Sequence, residues 1–494
     1  MTNQAFPHLR NETNKIALVD GEYRYTYAEL NQRIQRFASG LLVNLDDLQE
    51  ERVAFFLPAS LDYVTTMHGV WQAGGIAVPL NVASAVAELN HYLSSASVTR
   101  LITSAEYRDS LQALCKGLDI ELLLADEVLV GEARPLPEIE LSRRALMLFT
   151  SGTTSKPKGV VSTHKTVQAQ ITTLVQAWEW TEEDVIPLFL PLHHIHGIIN
   201  ILSCGLWAGA TVHLYTKFDV PRITDEIIAG TFNVFMAVPT IYVKLIQYFD
   251  SIEQDRVSKI CDGFASMRLM ISGSAACPVK LFDQWQELTG QVLLERYGMT
   301  EIGMGISNPY RGERRAGYVG QPLPGVDVQL FDEDDSPVLE EGLSGEIRVR
   351  GDNVFLEYWN NPKATEESFK DGWFCTGDVG VVEDGYYRIM GRSSVDIIKS
   401  GGYKLSALEI EGVLLTHESV SEVAVIGIED ETWGESVMAI IALKEDTSLE
   451  YDQLKQWCTG KMSSYKIPKA LRIVDALPRN AMGKVTKPDL RSLI

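Results

Sequence analysis

The stretch Leu148-Phe149-Thr150-Ser151-Gly152-Thr153-Thr154-Ser155-Lys156-Pro157-Lys158-Gly159-Val160 decides how the rest of the chain is read. The apolar run at 145–149 predicts a buried strand. It opens into a loop of hydroxyls, glycines, a proline and two lysines. Ser151, Thr153 and Thr154 offer O–H donors, Gly152 and Gly159 let backbone N–H groups approach a ligand, and Lys156 and Lys158 bring positive charge. That chemistry suits phosphate; the competing reading is a solvated turn with a chance basic pair. It is not a Walker A loop, because Pro157 rather than glycine precedes Lys158 and Gly159 rather than Ser or Thr follows it.

Around this loop lie 494 residues, too many for one ordinary core, so two or three domains are expected. A hydrophobic content of 45% with 22% charged residues is that of a soluble globular protein. The net charge of -22 argues against nucleic-acid or anionic-membrane binding, so an anionic substrate must be drawn by a local positive site. The six cysteines are scattered without a C-x-x-C pair, which points to buried thiols in a reducing compartment. The first residues lack the basic and apolar pattern of a secretory signal. The longest apolar candidate for a membrane span, 185–212, is broken by prolines, histidines and Asn200. A cytoplasmic monomer or homodimer is the expectation.

In chain order, 16–26 reads as a hairpin around Asp20-Gly21, and Thr26-Tyr27-Ala28-Glu29 has capping-box spacing before a helix with Leu30, Ile34, Phe37 and Leu41 on one face. Apolar strands at 52–57, 76–80, 185–190, 234–238, 269–272 and 292–295, alternating with helical or glycine-turn sequence, imply an α/β fold with parallel-type sheets. From about 316 short alternating strands predict a β-rich subdomain. Near Gly391-Arg392-Ser393-Ser394 the strands are expected to stop, and a small α+β unit to begin with a helix capped at Ser406-Ala407-Leu408-Glu409. Strands at 423–428 and 437–443 and a helix at 449–462 complete it. The expected division is a large N-terminal domain, 1–391, a hinge at 392–394 and a small mobile C-terminal domain, 395–494.

A second informative segment is Glu295-Arg296-Tyr297-Gly298-Met299-Thr300-Glu301, where a ring, a glycine, a hydroxyl and an acid gather at a strand end. Such a set can stack a base and hold a cation, or be an ordinary strand-to-loop exit. Further on stand Thr376-Gly377-Asp378, then Gly391-Arg392 with Asp396 and Lys399-Ser400-Gly401-Gly402, then Pro478-Arg479-Asn480-Ala481-Met482-Gly483-Lys484.

Taken in this order, these elements resemble the adenylate-forming superfamily of acyl-CoA synthetases, peptide-synthetase adenylation domains and luciferases. The phosphate loop resembles that family's T-S-G-T-T-G-x-P-K-G and departs from it at Ser155, where glycine is usual. The resemblance implies ATP contacts from Thr150, Ser151, Gly152, Thr154, Lys158, Ser274, Gly298 and Thr300. It implies that Tyr297 packs on adenine, that Asp378 accepts the ribose hydroxyls with Arg392 beside it, and that Glu301 and Thr153 face Mg²⁺. It further implies that Lys484 contacts the reacting carboxylate and α-phosphate, that Ser394 is the pivot about which the small domain rotates, and that Gly401, Gly402 and Lys404 face the coenzyme A tunnel. Co-substrates are then ATP, coenzyme A and a small carboxylic acid, with Mg²⁺ as the metal.

By the same resemblance the acyl pocket is built from Pro191-Leu192-His193-His194-Ile195-His196-Gly197, from Ser272-Gly273-Ser274-Ala275 and from Arg296. His194 is the gate or substrate contact, while His193 and His196 read equally as packing residues. An arginine unpaired in an apolar pocket costs several kcal/mol and excludes a long alkyl tail, whereas a second carboxylate pairs with it bidentately. The alternative for Arg296 is a surface ion pair with Glu295 or another acid. Residues 293–308, 317–326 and 394–411 are similar to the malonyl-CoA and methylmalonyl-CoA synthetase branch. The expected activity is therefore ATP-dependent ligation of a short diacid, malonate before methylmalonate, to coenzyme A. The alternatives are a medium- or long-chain fatty acyl-CoA synthetase and an adenylation enzyme that loads a carrier protein.

Overall fold

The computed structural model describes residues 6–10, 13–150, 157–393, 395–400, 403–430, 433–479 and 485–491. Of the sequence-based site residues, Ser151, Gly152, Thr153, Thr154, Ser394, Gly401, Gly402 and Lys484 lie outside them, as does the side chain of Lys404.

Local sequence sets the first elements. Ile16–Asp20 and Tyr23–Thr26 pair antiparallel around Gly21, whose φ of +62° is the left-handed conformation a tight turn demands. Thr26 caps the helix Tyr27–Leu41: its hydroxyl accepts from Glu29 N at 3.1 Å, and the Glu29 carboxylate accepts from Thr26 N at 2.8 Å. Leu30, Ile34, Phe37 and Leu41 are buried along one face of that helix.

The large N-terminal domain is built on three sheets. A seven-stranded sheet runs in the order Glu357–Tyr358, Lys158–Thr163, Arg144–Thr150, Ile76–Pro79, Arg52–Phe56, Arg100–Thr103 and Glu121–Leu124. Its last five strands are mutually parallel and its first three antiparallel. In Arg52–Phe56, Val53 and Phe55 enter the main core while Ala54 and Phe56 enter a second core on the opposite face. The sheet is covered on both sides, which is why its strands read as continuous apolar runs. A five-stranded sheet runs Val234–Ala237, Leu269–Ser272, Leu294–Met299, Gly303–Ser307 and Gln321–Pro322. A four-stranded sheet combines the first hairpin with Thr211–Leu214 and Val185–Leu188.

The β-rich part is antiparallel throughout: Val326–Phe331, Ser344–Gly351, Trp373–Glu383, Phe369–Lys370 and Tyr386–Arg392. The small C-terminal domain has its own five-stranded sheet with apolar residues on both faces. Along Val420–Asp430, Val423 and Val425 enter one core and Ala424 and Ile426 the other, the period of two that a sandwiched strand imposes.

Three local expectations are corrected. Lys158 and Gly159 belong to the strand Lys158–Thr163 and not to the loop, because Thr150 pairs with Lys158 and Gly159 O accepts from Trp359 N at 2.8 Å. A Cβ at Gly159 would stand 3.0 Å from Met147 Sδ, so its glycine marks a close approach within a sheet. Tyr297 and Gly298 do not leave a strand end. The strand Leu294–Met299 changes partner, parallel to Leu269–Ser272 up to Glu295 and antiparallel to Gly303–Ser307 from Arg296 on. Finally, the small domain opens with a hairpin, Ile397–Ser400 against Tyr403–Ser406, ahead of the helix Ala407–Leu414. Ser400 and Tyr403 are cross-strand partners with Gly401-Gly402 between them, a hairpin signal masked by reading those glycines for ligand access.

One buried ion pair anchors the strand that leads into the site. Asp184 is 0% exposed and accepts from Arg268 Nε at 2.6 Å, from Arg268 Nη2 and from Thr181 N at 2.9 Å. Arg268 immediately precedes Leu269–Ser272. The Arg311–Glu179 pair, by contrast, is 78% and 41% exposed. Arg268→Ala should lower unfolding free energy by about 3–5 kcal/mol, as breaking a buried pair does, against less than about 1 kcal/mol for Arg311→Ala. Urea denaturation of both variants measures the difference; equal losses would contradict it.

Candidate functional site

The strand Leu294–Met299 distributes the site's side chains to its two sides, since adjacent strand residues point to opposite faces. On one side Tyr297 donates its hydroxyl proton to Asp378 Oδ2 at 2.5 Å. Asp378 Oδ1 lies 3.1 Å from Arg392 Nε, and Asp378 and Arg392 are cross-strand partners in the β-rich sheet. The Thr376 hydroxyl accepts from Asp378 N at 3.1 Å and donates to Ile347 O at 2.6 Å, fixing the aspartate's backbone. Gly377 between them has a φ of +71°. Burial, then the neighbouring Asp378 charge, raises the Tyr297 phenol well above its ordinary value, so it stays a donor.

A second group joins the strand Lys158–Thr163 to Glu301. Lys158 Nζ sits 4.7 Å from the centre of the Tyr358 ring, and the Tyr358 hydroxyl donates to Glu301 Oε1 at 3.0 Å. Glu301 is 6% exposed. Burial pushes its carboxyl up, while the Tyr358 hydroxyl and the charges of Arg392 and Lys158 push it back. Thr150 ends its strand as the partner of Lys158, and Thr300 follows the central strand, half-buried. Gly298 is required by contact: a Cβ there would stand 2.1 Å from Gly303 O.

The other side of the strand holds Arg296, 5% exposed. Its Nη2 donates to Ser274 Oγ at 3.3 Å, and His196 Nδ1 lies 3.0 Å from the same oxygen. Gly273 makes room for the guanidinium, because a Cβ there would meet Arg296 Cζ at 2.5 Å. Ser274 has a φ of +68°, rare for a residue with a side chain and the kind of local strain found at ligand sites. Among the described residues Arg296 has no ion pair, and its Nε has no hydrogen-bond partner. Burial alone lowers its pKa to about 9. The alternative pairing with Glu295 does not form: Glu295 is itself buried and accepts from Gly317 N at 3.2 Å, its carboxyl pushed up to about 7 by burial.

His196 opens a π-helix, His196–Ser203, an irregularity frequent at functional sites. Burial holds it well below its ordinary pKa, with the Arg296 charge adding to the effect, so it is neutral. Sequence favoured His194; the structure brings His196 to Ser274, and sets the His193 and His194 rings against each other at 4.2 Å. Ser272 closes its strand, fully buried. Tyr358 went unread because no local pattern marks a tyrosine whose partner is 57 positions away.

The AMP-binding enzyme family matches residues 6–359, and the AMP-binding enzyme C-terminal domain matches 409–484. The chain belongs to the AMP-binding enzyme family. Within that family, the mitochondrial malonate–CoA ligase ACSF3 of Bos taurus is 43% identical over 517 residues, covering 97% of this chain and 88% of the relative. The crystal structure of ATP-bound MatB from Rhodopseudomonas palustris superposes with a TM-score of 0.90 at 32% identity, covering 100% of this chain and 99% of that one. O-succinylbenzoate CoA synthetase (MenE) from Bacillus subtilis, solved with ATP and magnesium ion, gives 0.85 at 27% identity, covering 98% and 99%. The Mus musculus and Homo sapiens ligases are mitochondrial as well. These relatives overturn the cytoplasmic expectation, for scattered free thiols report redox state and not an address.

In this AMP-binding enzyme, Gly298→Ala should open the hairpin that holds Tyr297 to Asp378. The overpacking is expected to cost about 1–3 kcal/mol of stability and to weaken AMP binding in calorimetry. Unchanged AMP affinity would remove Gly298 from the site.

Proposed function

We propose that the protein is an ATP-dependent malonate–CoA ligase that works in two steps through an enzyme-bound malonyl-adenylate. In the first step a carboxylate oxygen of malonate attacks the α-phosphorus of ATP and the bond to pyrophosphate breaks. In the second the coenzyme A thiolate attacks the acyl carbon, and the anhydride C–O bond breaks with AMP leaving. The first step brings anions together, so positioning and fixed positive charge do most of the work. Lys158 supplies it from the large domain, Arg392 from the start of the hinge and Lys484 from the small domain. Asp378 takes the ribose, with Tyr297 against the base.

Glu301 is a buried hard-oxygen donor beside the phosphate-loop strand, which fits magnesium, an ion held by one or two carboxylates together with substrate phosphates. When bound, that ion would neutralise phosphate charge. Gly401, Gly402 and Lys404 belong to the coenzyme A path in this reading. The pivot is Ser394, within a hinge at 392–394 between a large domain of 1–391, β-rich from about 316, and a small domain of 395–494.

The acid's identity rests on one observation: a buried guanidinium that lacks an acid partner among the described residues, with the neutral His196 and Ser274 beside it. A second carboxylate satisfies it bidentately, and an alkyl tail leaves it stranded. The names of the relatives point the same way.

Coenzyme A-dependent AMP formation across malonate, methylmalonate, succinate, acetate, octanoate and palmitate tests this; malonate should give the highest rate, and octanoate or palmitate in first place would sink the diacid reading. Arg296→Ala should lower kcat/KM for malonate by a factor of about 30 or more, as removing one partner of a buried charge pair does. Acetate should lose far less, and equal losses would place Arg296 outside the pocket. Tyr358→Phe removes a bond worth about 1 kcal/mol to the ionised Glu301. The Glu301 pKa then rises, so the acid limb of the pH–rate profile should move to higher pH. A limb that stays put would show that Glu301 does not govern it.

A further inference from the structure

Lys487 lies outside every group assigned above, yet its ammonium is 2.6 Å from Asp396 Oδ1 and 2.6 Å from Glu411 Oε1. The three side chains are 11%, 14% and 13% exposed, so this is a shielded triad with one carboxylate in excess. A lysine in such surroundings is held rigidly, unlike a solvated surface lysine.

Asp396 connects the triad to the hinge. Its Oδ2 accepts from Arg392 N at 3.0 Å and its own N donates to Arg392 O at 2.8 Å, two bonds that span position 394. Gly391, with a φ of +120°, admits this approach: a Cβ there would lie 2.3 Å from Asp396 Cβ. Arg392 in turn holds Asp378. On its far side Lys487 follows the segments 478–479 and 485–486, which pair with each other. Arg479 and Val485 form a bridge, Thr486 N donates to Pro478 O at 3.0 Å, and Arg479 pairs with Glu422 at 3.0 Å. Lys484 is three residues before Lys487 in the chain. Contacts thus run from Asp378 through Arg392 and Asp396 to Lys487, which directly follows the paired segments 478–479 and 485–486 in the chain.

We propose that Lys487 is a positioning residue for the first half-reaction, its ammonium holding the Asp396 carboxylate where it bonds Arg392 across the hinge in the domain orientation seen here. The inference rests on the two-step reading above. Rotation about the hinge must break the Asp396–Arg392 bonds that cross it, while the Asp396–Lys487–Glu411 triad travels intact with the small domain. The Asp396–Arg392 bonds that Lys487 supports through Asp396 therefore act in one orientation and not in the other, and the two half-reactions should respond unequally to loss of that support.

The test uses the full-length enzyme and three variants: Lys487→Gln, Lys487→Arg and Asp396→Asn. Malonate-dependent exchange of labelled pyrophosphate into ATP reads the first step, and thioester formation after adding coenzyme A to preformed enzyme-bound adenylate reads the second. Lys487→Gln and Asp396→Asn should each slow exchange by about tenfold or more, the scale of a small misplacement of a reacting group, and leave the second step near the rate of the unmodified enzyme. Lys487→Arg should recover most of the exchange. Should Lys487→Gln fail to fold, Asp396→Asn decides alone, since it keeps the lysine's pairing with Glu411. Equal slowing of both steps in parallel with a lowered Tm, or no slowing of either, would overturn the proposal. An unmodified enzyme without malonate-dependent exchange would remove the two-step reading itself.

Discussion

A guanidinium held out of water is the constraint on which the rest of the site depends. Burying an unpaired charge costs several kcal/mol, and among the described residues the fold meets that cost at Arg296 with a serine hydroxyl as hydrogen-bond partner. The surroundings are arranged accordingly. Gly273 withholds a side chain, Ser274 takes an uncommon backbone conformation, and the Asp184–Arg268 pair fixes the strand from which both emerge. Leu294–Met299 then turns Arg296 to one side and Tyr297 to the other, so the Arg296–Ser274 group and the Tyr297–Asp378 group share one backbone.

The other organising groups are carboxylates. Asp378 draws together the central strand and the last strand of the β-rich sheet, and Glu301 draws in Tyr358 and the flank of the phosphate loop. In a chain of net charge -22 these acids sit beside Lys158 and Arg392, so the site has its own electrostatics, distinct from the surrounding field. Each acid is nearly sealed from solvent, which strengthens its few bonds and makes their geometry matter.

Much of this was legible in the sequence, and the exceptions have a common cause. Strands at 76–80 and 269–272 and the capped helix from Tyr27 declare themselves through apolar runs and a capping box, which are local signals. Short motifs such as Thr376-Gly377-Asp378 identify residues that the fold brings together. Local reading failed where a glycine serves a neighbour and not its own turn. Gly159 and Gly298 look like loop residues, but each accommodates a strand packed against it. It failed likewise for His196, whose partner Ser274 lies 78 positions away, just past the strand Leu269–Ser272, and for Tyr358, which no pattern ties to Glu301. The hairpin before Ser406 was hidden because two glycines serve equally for a turn and for a ligand's approach.

The register of the strands around the phosphate loop bears on how this family can change. Thr150 and Lys158 face each other across an antiparallel ladder, and Glu357–Tyr358 pairs with the next residues along. Side chains alternate along that ladder, so a slip of one residue would turn Lys158 away from Tyr358 and reverse every neighbour with it. One letter between these strands, Ser155, departs from the glycine usual in the family pattern without any change of length. An inserted or deleted residue is a different event, because it must be absorbed within the loop or it inverts the sheet's edge. Drift at this place should therefore alter residue identity far more readily than length.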